Sequence, residues 1–325
     1  VLTEQGQPAP QRTECAADLS IAASIPDRYV PAPEQRMDLY RRIAAIRSEE
    51  DADDLVDELI DRYGEPPRTV NNLISVALLR AAAAQAEITD LNYDDAVRLA
   101  DRMGREHGWT LIQDTAWPGY EEIPAWIMQG YGTMANEAAE QLRQVGINRP
   151  THVFVQAGVG SLAGAVIGYF TNLFPNDPPT FVVMEARAAD CLYQGALAGD
   201  GQPRIVEGDL KTIMAGLACG EPNILSWDIL RNHVSAFVSC PDWVSARGMR
   251  MLGVPVKGDP TVISGESGAV GMGLIAALME TDEYQDLREA IGLDRFSQVL
   301  LFSTEGNTDP MKFRKVLWDG EYPTV

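Results

Sequence analysis

Apolar residues in the first part of the chain recur at helical spacing. Three segments before residue 90 place their apolar side chains three or four positions apart, as one face of a helix requires. The stripes are Met37, Tyr40, Ile43 and Ile46, then Leu55, Val56, Leu59, Ile60 and Tyr63, then Val70, Leu73, Ile74, Ala77 and Leu78. The pattern predicts a small three-helix module over residues 21–90, after a loose polar lead-in over residues 1–20.

Capping and helix-breaking residues support the prediction of the second helix. Ser48, with Asp51 three residues later, has the spacing of a capping box. Gly64 predicts the end of that helix, and the prolines at 66 and 67 prevent its continuation.

After about residue 90 the pattern changes to short apolar runs separated by helical segments. Helices are predicted at about 125–145 and 270–279, and strands at 110–113, 152–156, 181–184, 236–239 and 299–302. Apolar strands that alternate with helices indicate a parallel sheet covered on both faces. Residues 91–325 are therefore predicted to be an α/β domain with a mostly parallel sheet and flanking helices, different in class from the helical module.

Composition narrows the function. The chain has 325 residues with 46% apolar content, enough for one large domain or two ordinary ones. Its net charge is −21, which disfavours direct binding to nucleic acid or to anionic lipid. No apolar run is long enough to span a bilayer, and residues 1–12 lack signal-peptide features, so we expect a cytoplasmic protein. Because the first residue is Val1, we also expect a fragment or a processed product.

Metal and disulfide signals are weak. The cysteines are Cys15, Cys191, Cys219 and Cys240, and the histidines are His107, His152 and His233. The cysteine spacings fit neither a zinc ribbon nor a redox pair, and the histidines are not closely paired, so no metal site is predicted. Whether Cys219 and Cys240 pair is left open.

A glycine-rich loop is the main candidate for ligand binding. It runs from Gln156 to Gly164, directly after a predicted strand and before a predicted helix. A helix N-terminus offers free backbone N–H groups to a phosphate, and small residues let the backbone come close. The candidate contacts are Gly158, Val159, Gly160, Ser161, Leu162 and Gly164. A tight turn that needs glycine only for packing explains the loop equally well, and the spacing is not that of a dinucleotide site.

Two further loops carry small polar residues at strand or helix ends. Ser264–Ala269, which includes Glu266, precedes a predicted helix, and Ser303–Asp309 follows the last predicted strand. Ligands of open α/β sheets bind outside the carboxyl ends of the strands. Simple turn chemistry is the alternative for either loop.

The helical segment resembles a known family. The matching residues are Ile25–Pro31, Gln35–Arg42, Asp57–Gly64 and the prolines at 66 and 67. Over residues 15–88 they are similar to the C-terminal domain of the bacterial transcription-repair coupling factor. That resemblance implies a regulatory module, with contact to a repair protein through residues 21–90 and no catalytic chemistry.

The α/β part resembles diaminopropionate ammonia-lyase. The matching segments are Tyr93–Arg98, Gln113–Trp117, Ile127–Tyr131, the glycine loop, Thr212–Pro222, Ser264–Ala269 and Ser303–Gly306. The resemblance implies a fold type II, tryptophan-synthase-β-like enzyme. It uses pyridoxal 5′-phosphate to convert the small amino acid 2,3-diaminopropionate into pyruvate and ammonia.

The resemblance also assigns roles to individual residues. It places the cofactor phosphate on the loop from Gly158 to Gly164, with further cofactor contacts from Gly216 and Glu266. It places the pyridine nitrogen near Ser303 or Thr304. It implies that Asp114 acts as a general base toward one substrate enantiomer. Without the resemblance, Asp114 is equally explained as an exposed turn residue or a helix cap.

The lysine that holds the cofactor covalently in this family lies in an N-terminal segment that we do not find. The lysines of this chain are Lys211, Lys257, Lys312 and Lys315, and none lies in a matching motif. We therefore expect noncovalent cofactor binding at best, impaired or absent activity, and exposed apolar surface that favours a homodimer. Three interpretations stay open: an incomplete lyase, a repair-factor interaction module, or a fusion of the two without function.

Overall fold

A computed structural model describes residues 21–83 and 89–324. The chain divides into two compact units, residues 1–89 and 90–325. The predicted lead-in over residues 1–20 lies outside the described residues. In the described part of the chain, no helix combines the length and the apolar character needed to cross a bilayer.

The first unit contains three helices: α1 (Pro33–Ala45), α2 (Glu49–Tyr63) and α3 (Arg68–Ala83). Ser48 caps α2 with a complete capping box, in which its hydroxyl accepts from the Asp51 amide at 3.2 Å. Gly64, with φ +79°, ends α2. Both local predictions are confirmed.

The apolar faces of the first unit differ in detail from the predicted stripes. The buried core consists of Ile25, Val30, Leu39, Ile43, Ile46, Ala52, Leu55, Leu59, Val70, Ile74 and Ala77. Met37 and Ile60 belong to the predicted apolar stripes, but they are 54% and 39% exposed. The core face of α1 follows Leu39, Ile43 and Ile46, which are spaced four and three residues apart, and Met37 lies off that line.

The second unit alternates helices with strands. Its helices are α4 (Tyr93–His107), α5 (Glu122–Gln144), α6 (Ser161–Leu173), α7 (Cys191–Ala198), α8 (Ile224–His233), α9 (Asp242–Gly253), α10 (Glu266–Glu280), α11 (Gln285–Ala290) and α12 (Pro310–Leu317). Its strands are β1 (His152–Gln156), β2 (Thr180–Ala186), β3 (Ala236–Cys240) and β4 (Val299–Leu301).

The four strands form one parallel sheet in the order β3-β2-β1-β4. Residues of one strand contribute to both apolar layers: Phe154 packs in the layer with α9 and α10, whereas Val153 and Val155 pack in the layer with α6. All five residues of β1 are buried, as expected for a strand covered on both faces.

One predicted strand is absent. Residues Thr110–Gln113 form no ladder, and Ile112 is 73% exposed. The segment is instead held by Tyr120, whose hydroxyl donates to the Leu111 carbonyl at 2.8 Å and accepts from the Gln113 amide at 3.2 Å. Three apolar or β-branched residues are too few to define a strand when no strand in the described part of the chain pairs with them.

Candidate functional site

A cavity of about 340 Å³ lies where β1 ends and α6 begins. It is lined by the glycine loop and by residues from six other segments: Tyr93, Asp114, Tyr131, Gln156, Ala157, Gly158, Val159, Gly160, Ser161, Leu162, Gly216, Leu217, Cys219, Ser267, Thr304 and Glu305. This is the carboxyl edge of the parallel sheet, where ligands of such folds bind. The cavity is therefore the candidate functional site.

The glycine loop makes a close turn into α6. Gly160 has φ +98°, and a Cβ there would lie 2.7 Å from Ser226 Oγ. A Cβ on Gly158 would approach Cys219 Sγ at 3.1 Å and the Gly216 carbonyl at 3.2 Å. The loop therefore requires glycine both for its conformation and for packing, as the tight-turn explanation expects.

The start of α6 offers unused donors. Helix α6 has no side-chain cap, and within residues 21–83 and 89–324 the amides of Gly160, Ser161 and Leu162 donate to no protein acceptor. Unpaired N–H groups and the positive end of the helix dipole favour an anion at this position. The loop thus has the chemistry of a phosphate cradle.

Asp114 is held at the rim of this cradle through its backbone. Its carbonyl accepts from Ser161 Oγ at 2.8 Å and from Asn223 Nδ2 at 2.6 Å. Asn223 also caps α8 by accepting from the amides of Leu225 and Ser226. These bonds tie the Asp114 segment to the first residue of α6.

The Asp114 side chain lies near two tyrosines. Tyr93 Oη donates to Asp114 Oδ1 at 3.2 Å. Burial and then the charge of Asp114 raise the pKa values of Tyr93 and Tyr131 above the ordinary value. Both phenols therefore stay protonated at neutral pH, and Tyr93 acts as a hydrogen-bond donor to the carboxylate.

The loop after β4 brings Thr304 into the cavity. Gln156 Nε2 donates to Thr304 Oγ1 at 3.0 Å and to the Phe302 carbonyl at 2.8 Å. Ser303 does not line the cavity, and its hydroxyl donates to Ser264 Oγ at 2.9 Å. Of the two candidate hydroxyls, the structure places only Thr304 at the site.

The Ser264 loop and the segment before α8 close the opposite side. The Gly216 amide donates to Ser267 Oγ at 3.2 Å, and the Ser267 amide donates to Glu305 Oε2 at 2.8 Å. Glu266 does not line the cavity, and its Oε1 is buried without a partner among the described residues. Burial and then the charge of Glu305 raise the pKa of Glu266.

The cavity contains most of the residues proposed from the sequence. Those that line it are Asp114, Gly158, Val159, Gly160, Ser161, Leu162, Gly216 and Thr304. Gly164, Glu266 and Ser303 lie outside it; Gly164 instead lets α6 approach Ser226, whose Cβ would be 2.8 Å from an added Cβ.

Sequence reasoning missed several members of the site. They are Tyr93, Tyr131, Gln156, Cys219, Asn223, Ser267 and Glu305. Gln156, Ser267 and Glu305 lie inside the three loops that the sequence predicted to bind a ligand, so the position of each loop could have indicated them. For Asn223, the sequence could have predicted only that it caps the helix that begins at Ile224.

Cysteines and lysines contribute no charged group to the cavity wall. Cys191, Cys219 and Cys240 are buried free thiols, and burial raises the pKa of Cys219 to about 12. No lysine is among the lining residues; Lys211, Lys257 and Lys315 are exposed. Lys312 is half-buried on α12.

Comparison with known proteins identifies relatives of both parts. The family described as pyridoxal-phosphate dependent enzyme matches residues 66–287, and the TRCF domain matches residues 19–100. The chain is 53% identical over 251 residues to diaminopropionate ammonia-lyase of Salmonella typhimurium, in a match that covers 77% of this chain and 62% of the relative. Residues of the helical part contribute to a match of 34% identity over 90 residues with the transcription-repair-coupling factor of Bacillus subtilis, covering 27% of this chain and 8% of the relative.

A solved structure agrees. The crystal structure of the Escherichia coli diaminopropionate ammonia-lyase in complex with D-serine superposes with a TM-score of 0.68 at 46% identity, covering 77% of this chain and 62% of that chain. These similarities confirm both resemblances and the fold type II class. The chain spans about 62% of the length of the lyases that it matches.

Proposed function

Because this chain belongs to the pyridoxal-phosphate dependent enzyme family, we propose that residues 90–325 are the cofactor-holding part of an ammonia-lyase that acts on 2,3-diaminopropionate. The observation that carries the proposal is that Asp114, the residues with free amides at the start of α6 and Thr304 all line one cavity. About 50% identity to lyases of that name supports the choice of substrate.

The residues present fit pyridoxal phosphate. The Gly160, Ser161 and Leu162 amides would hold its phosphate, since these residues line the cavity and their amides have no acceptor in the described part of the chain. An added Cβ would lie 3.1 Å from Cys219 Sγ at Gly158 and 3.1 Å from Ser267 Oγ at Gly216, so a side chain at either position would crowd the wall of the cavity. Thr304 is the hydroxyl assigned to the pyridine nitrogen. The bound cofactor supplies an electron sink for the charge left when a substrate proton departs.

Asp114 is the group assigned to take that proton. Its backbone is fixed by Ser161 and Asn223, and its carboxylate is oriented by the Tyr93 hydroxyl. A carboxylate fixed in this way can act as a general base only if it lies within reach of the substrate α-proton. Asp114→Asn preserves the size of the side chain and removes the basic oxygen, so it separates base catalysis from packing.

We further propose that this 325-residue chain by itself binds the cofactor noncovalently and has impaired activity. The support is the composition of the cavity wall, which includes carboxylates, hydroxyls and amides but no lysine. Without a covalent anchor, affinity depends on the phosphate cradle and on ring contacts alone.

Titration of the chain with pyridoxal phosphate, followed by absorbance, tests cofactor binding. Borohydride reduction and mass analysis then test the mode of binding. Saturable binding that leaves no modified lysine after reduction supports both parts of the proposal. A single, stoichiometrically modified lysine refutes the noncovalent mode, and no saturable binding at all refutes the cradle.

The first unit has a separate candidate role. Its match to the TRCF domain supports contact with a DNA-repair protein through residues 21–90, and we propose this as a second function. Retention of repair-factor fragments by the wild-type chain, lost on disrupting the α1–α3 core with Leu59→Asp, tests it. We also propose that the protein is cytoplasmic and that it forms a homodimer. Sedimentation analysis of the purified chain tests the homodimer.

A further inference from the structure

Gln156 is a buried amide at the carboxyl end of β1. The residue is 2% exposed, and its backbone lies in register with Met184 on β2. Its side chain reaches the loop that follows β4, where Nε2 donates to the Phe302 carbonyl at 2.8 Å and to Thr304 Oγ1 at 3.0 Å. One side chain therefore joins β1 to the loop that brings Thr304 into the cavity.

The Phe302 carbonyl fixes the orientation of this amide. A carbonyl oxygen can only accept a hydrogen bond, so the atom that faces it must be the side-chain nitrogen of Gln156 and not the side-chain oxygen. The same nitrogen carries a second hydrogen, which it donates to Thr304 Oγ1. The Thr304 hydroxyl is therefore held as the acceptor of this bond.

The proton of the Thr304 hydroxyl remains available to a ligand. Within residues 21–83 and 89–324, this hydroxyl donates to no protein acceptor, and Thr304 lines the cavity. The carboxylate of Glu305, which also lines the cavity, is already engaged, because it accepts from the Ser267 amide at 2.8 Å and from the Thr308 hydroxyl at 3.3 Å. Thr304 thus presents a free O–H donor to the cavity.

A donor of this kind distinguishes two states of a pyridine ring. A neutral pyridine nitrogen accepts a hydrogen bond, whereas a protonated one must donate. A protonated nitrogen facing Thr304 would be a second donor to the same oxygen and would leave the hydroxyl proton without an acceptor in the described part of the chain. The bond from Gln156 also makes the hydroxyl a better donor, since hydrogen bonds in a chain polarise one another.

We propose that Gln156 is a positioning residue that sets the direction of the hydrogen bond between Thr304 and the cofactor ring. It makes Thr304 a donor to the ring nitrogen, so that this nitrogen is held unprotonated. The inference rests on the proposed function, because it takes pyridoxal phosphate as the ligand of the cavity. It adds to that function a residue that controls the protonation state of the ring by acting through Thr304.

Nitrogen NMR of the full chain with pyridoxal phosphate labelled at its ring nitrogen tests the proposal, because the chemical shift distinguishes the two states of the ring. Gln156→Met keeps the length of the side chain and removes both donors. Gln156→Glu keeps the shape and replaces the donor with an acceptor. At a pH where a small fraction of the bound ring is protonated in the wild type, we expect that fraction to be about three- to tenfold larger in Gln156→Met, the worth of one hydrogen bond. The increase should be at least as large in Gln156→Glu, whose charge adds to the effect.

Ser303→Ala is the matched control. It removes the neighbouring hydroxyl, which donates to Ser264 Oγ at 2.9 Å and does not line the cavity. The ring should be in the same state in this variant as in the wild type. In a Thr304→Val chain, Gln156→Met should cause no further change, because Gln156 acts through Thr304. An unchanged ring in both Gln156 variants, an equal change in Ser303→Ala, or an undiminished effect in the Thr304→Val chain overturns the proposal.

Urea unfolding without the cofactor tests the bond independently of cofactor loading. If Gln156 and Thr304 are joined, the double variant Gln156→Met with Thr304→Val loses less stability than the two single variants together. Additive losses overturn the proposal. No saturable binding of pyridoxal phosphate by the wild-type chain overturns the proposed function and this inference with it. Saturable binding with an unchanged ring in the Gln156 variants overturns this inference alone, so the two failures are distinguishable.

Discussion

Substitution of Gly160 by alanine isolates the contribution of the glycine loop, for which phosphate binding is proposed. Gly160 has φ +98°, a conformation that costs an L-residue about 1–2 kcal/mol. Its new Cβ would lie 2.7 Å from Ser226 Oγ and 3.2 Å from Leu230 Cδ1. Overpacking of that kind costs about 1–3 kcal/mol. We therefore expect Gly160→Ala to lower the free energy of unfolding of the α/β unit by about 2–5 kcal/mol.

Gly146→Ala supplies the control. Gly146 has φ +84°, but nothing lies within 4 Å of its added Cβ. It should therefore lose only the conformational part, about 1–2 kcal/mol. Urea unfolding followed by tryptophan fluorescence measures both, and a pyridoxal phosphate titration of each folded variant measures the cradle. Equal destabilisation of the two variants, or unchanged cofactor affinity in Gly160→Ala, would refute the reasoning.

Three other predictions follow from single side chains. Asn223→Leu removes the α8 cap and a bond to the Asp114 carbonyl, and is expected to cost about 2–4 kcal/mol in urea unfolding; a loss below about 0.5 kcal/mol would contradict it. Ser48→Ala breaks the α2 capping box and should lower the stability of the helical unit by about 1 kcal/mol, measured by circular dichroism, with no change if the box is not formed. Glu185, fully buried on β2 with a pKa raised to about 8, should make stability fall as pH rises from about 4.5 to 8, and Glu185→Gln should flatten that dependence.

The sign of the Glu185 prediction follows from proton binding. Burial holds the pKa of this carboxyl above its unfolded value, against the lowering effect of bonds from the Leu192 and Tyr193 amides. The folded chain therefore keeps a proton that the unfolded chain releases, and this stabilisation is lost as pH rises. The full effect is at most about 5 kcal/mol. A stability that rises over the same pH range in the wild type, and not in Glu185→Gln, would show that the folded carboxyl is ionised.

Elements with a strong local signal were predicted well. The α2 capping box, the Gly64 stop and the four strands of the sheet follow from residue type and spacing within a few positions. The segment at Thr110–Gln113 shows the limit, since its composition favours a strand but it pairs with no strand within residues 21–83 and 89–324. Met37 shows the same limit for helices, because its position on the helix surface depends on which face the partner helices cover.

The sequence by itself determined where the glycine loop lies, because a strand, a glycine turn and a helix start are local features that backbone chemistry dictates. It also determined which residue types are available near that loop. Only the tertiary structure decided that Thr304 enters the cavity while Ser303 bonds Ser264, and that Asn223 joins Ser161 at the Asp114 carbonyl. The physical reason is that adjacent residues after a strand point in different directions, and that contacts between residues 109 positions apart depend on how the elements pack.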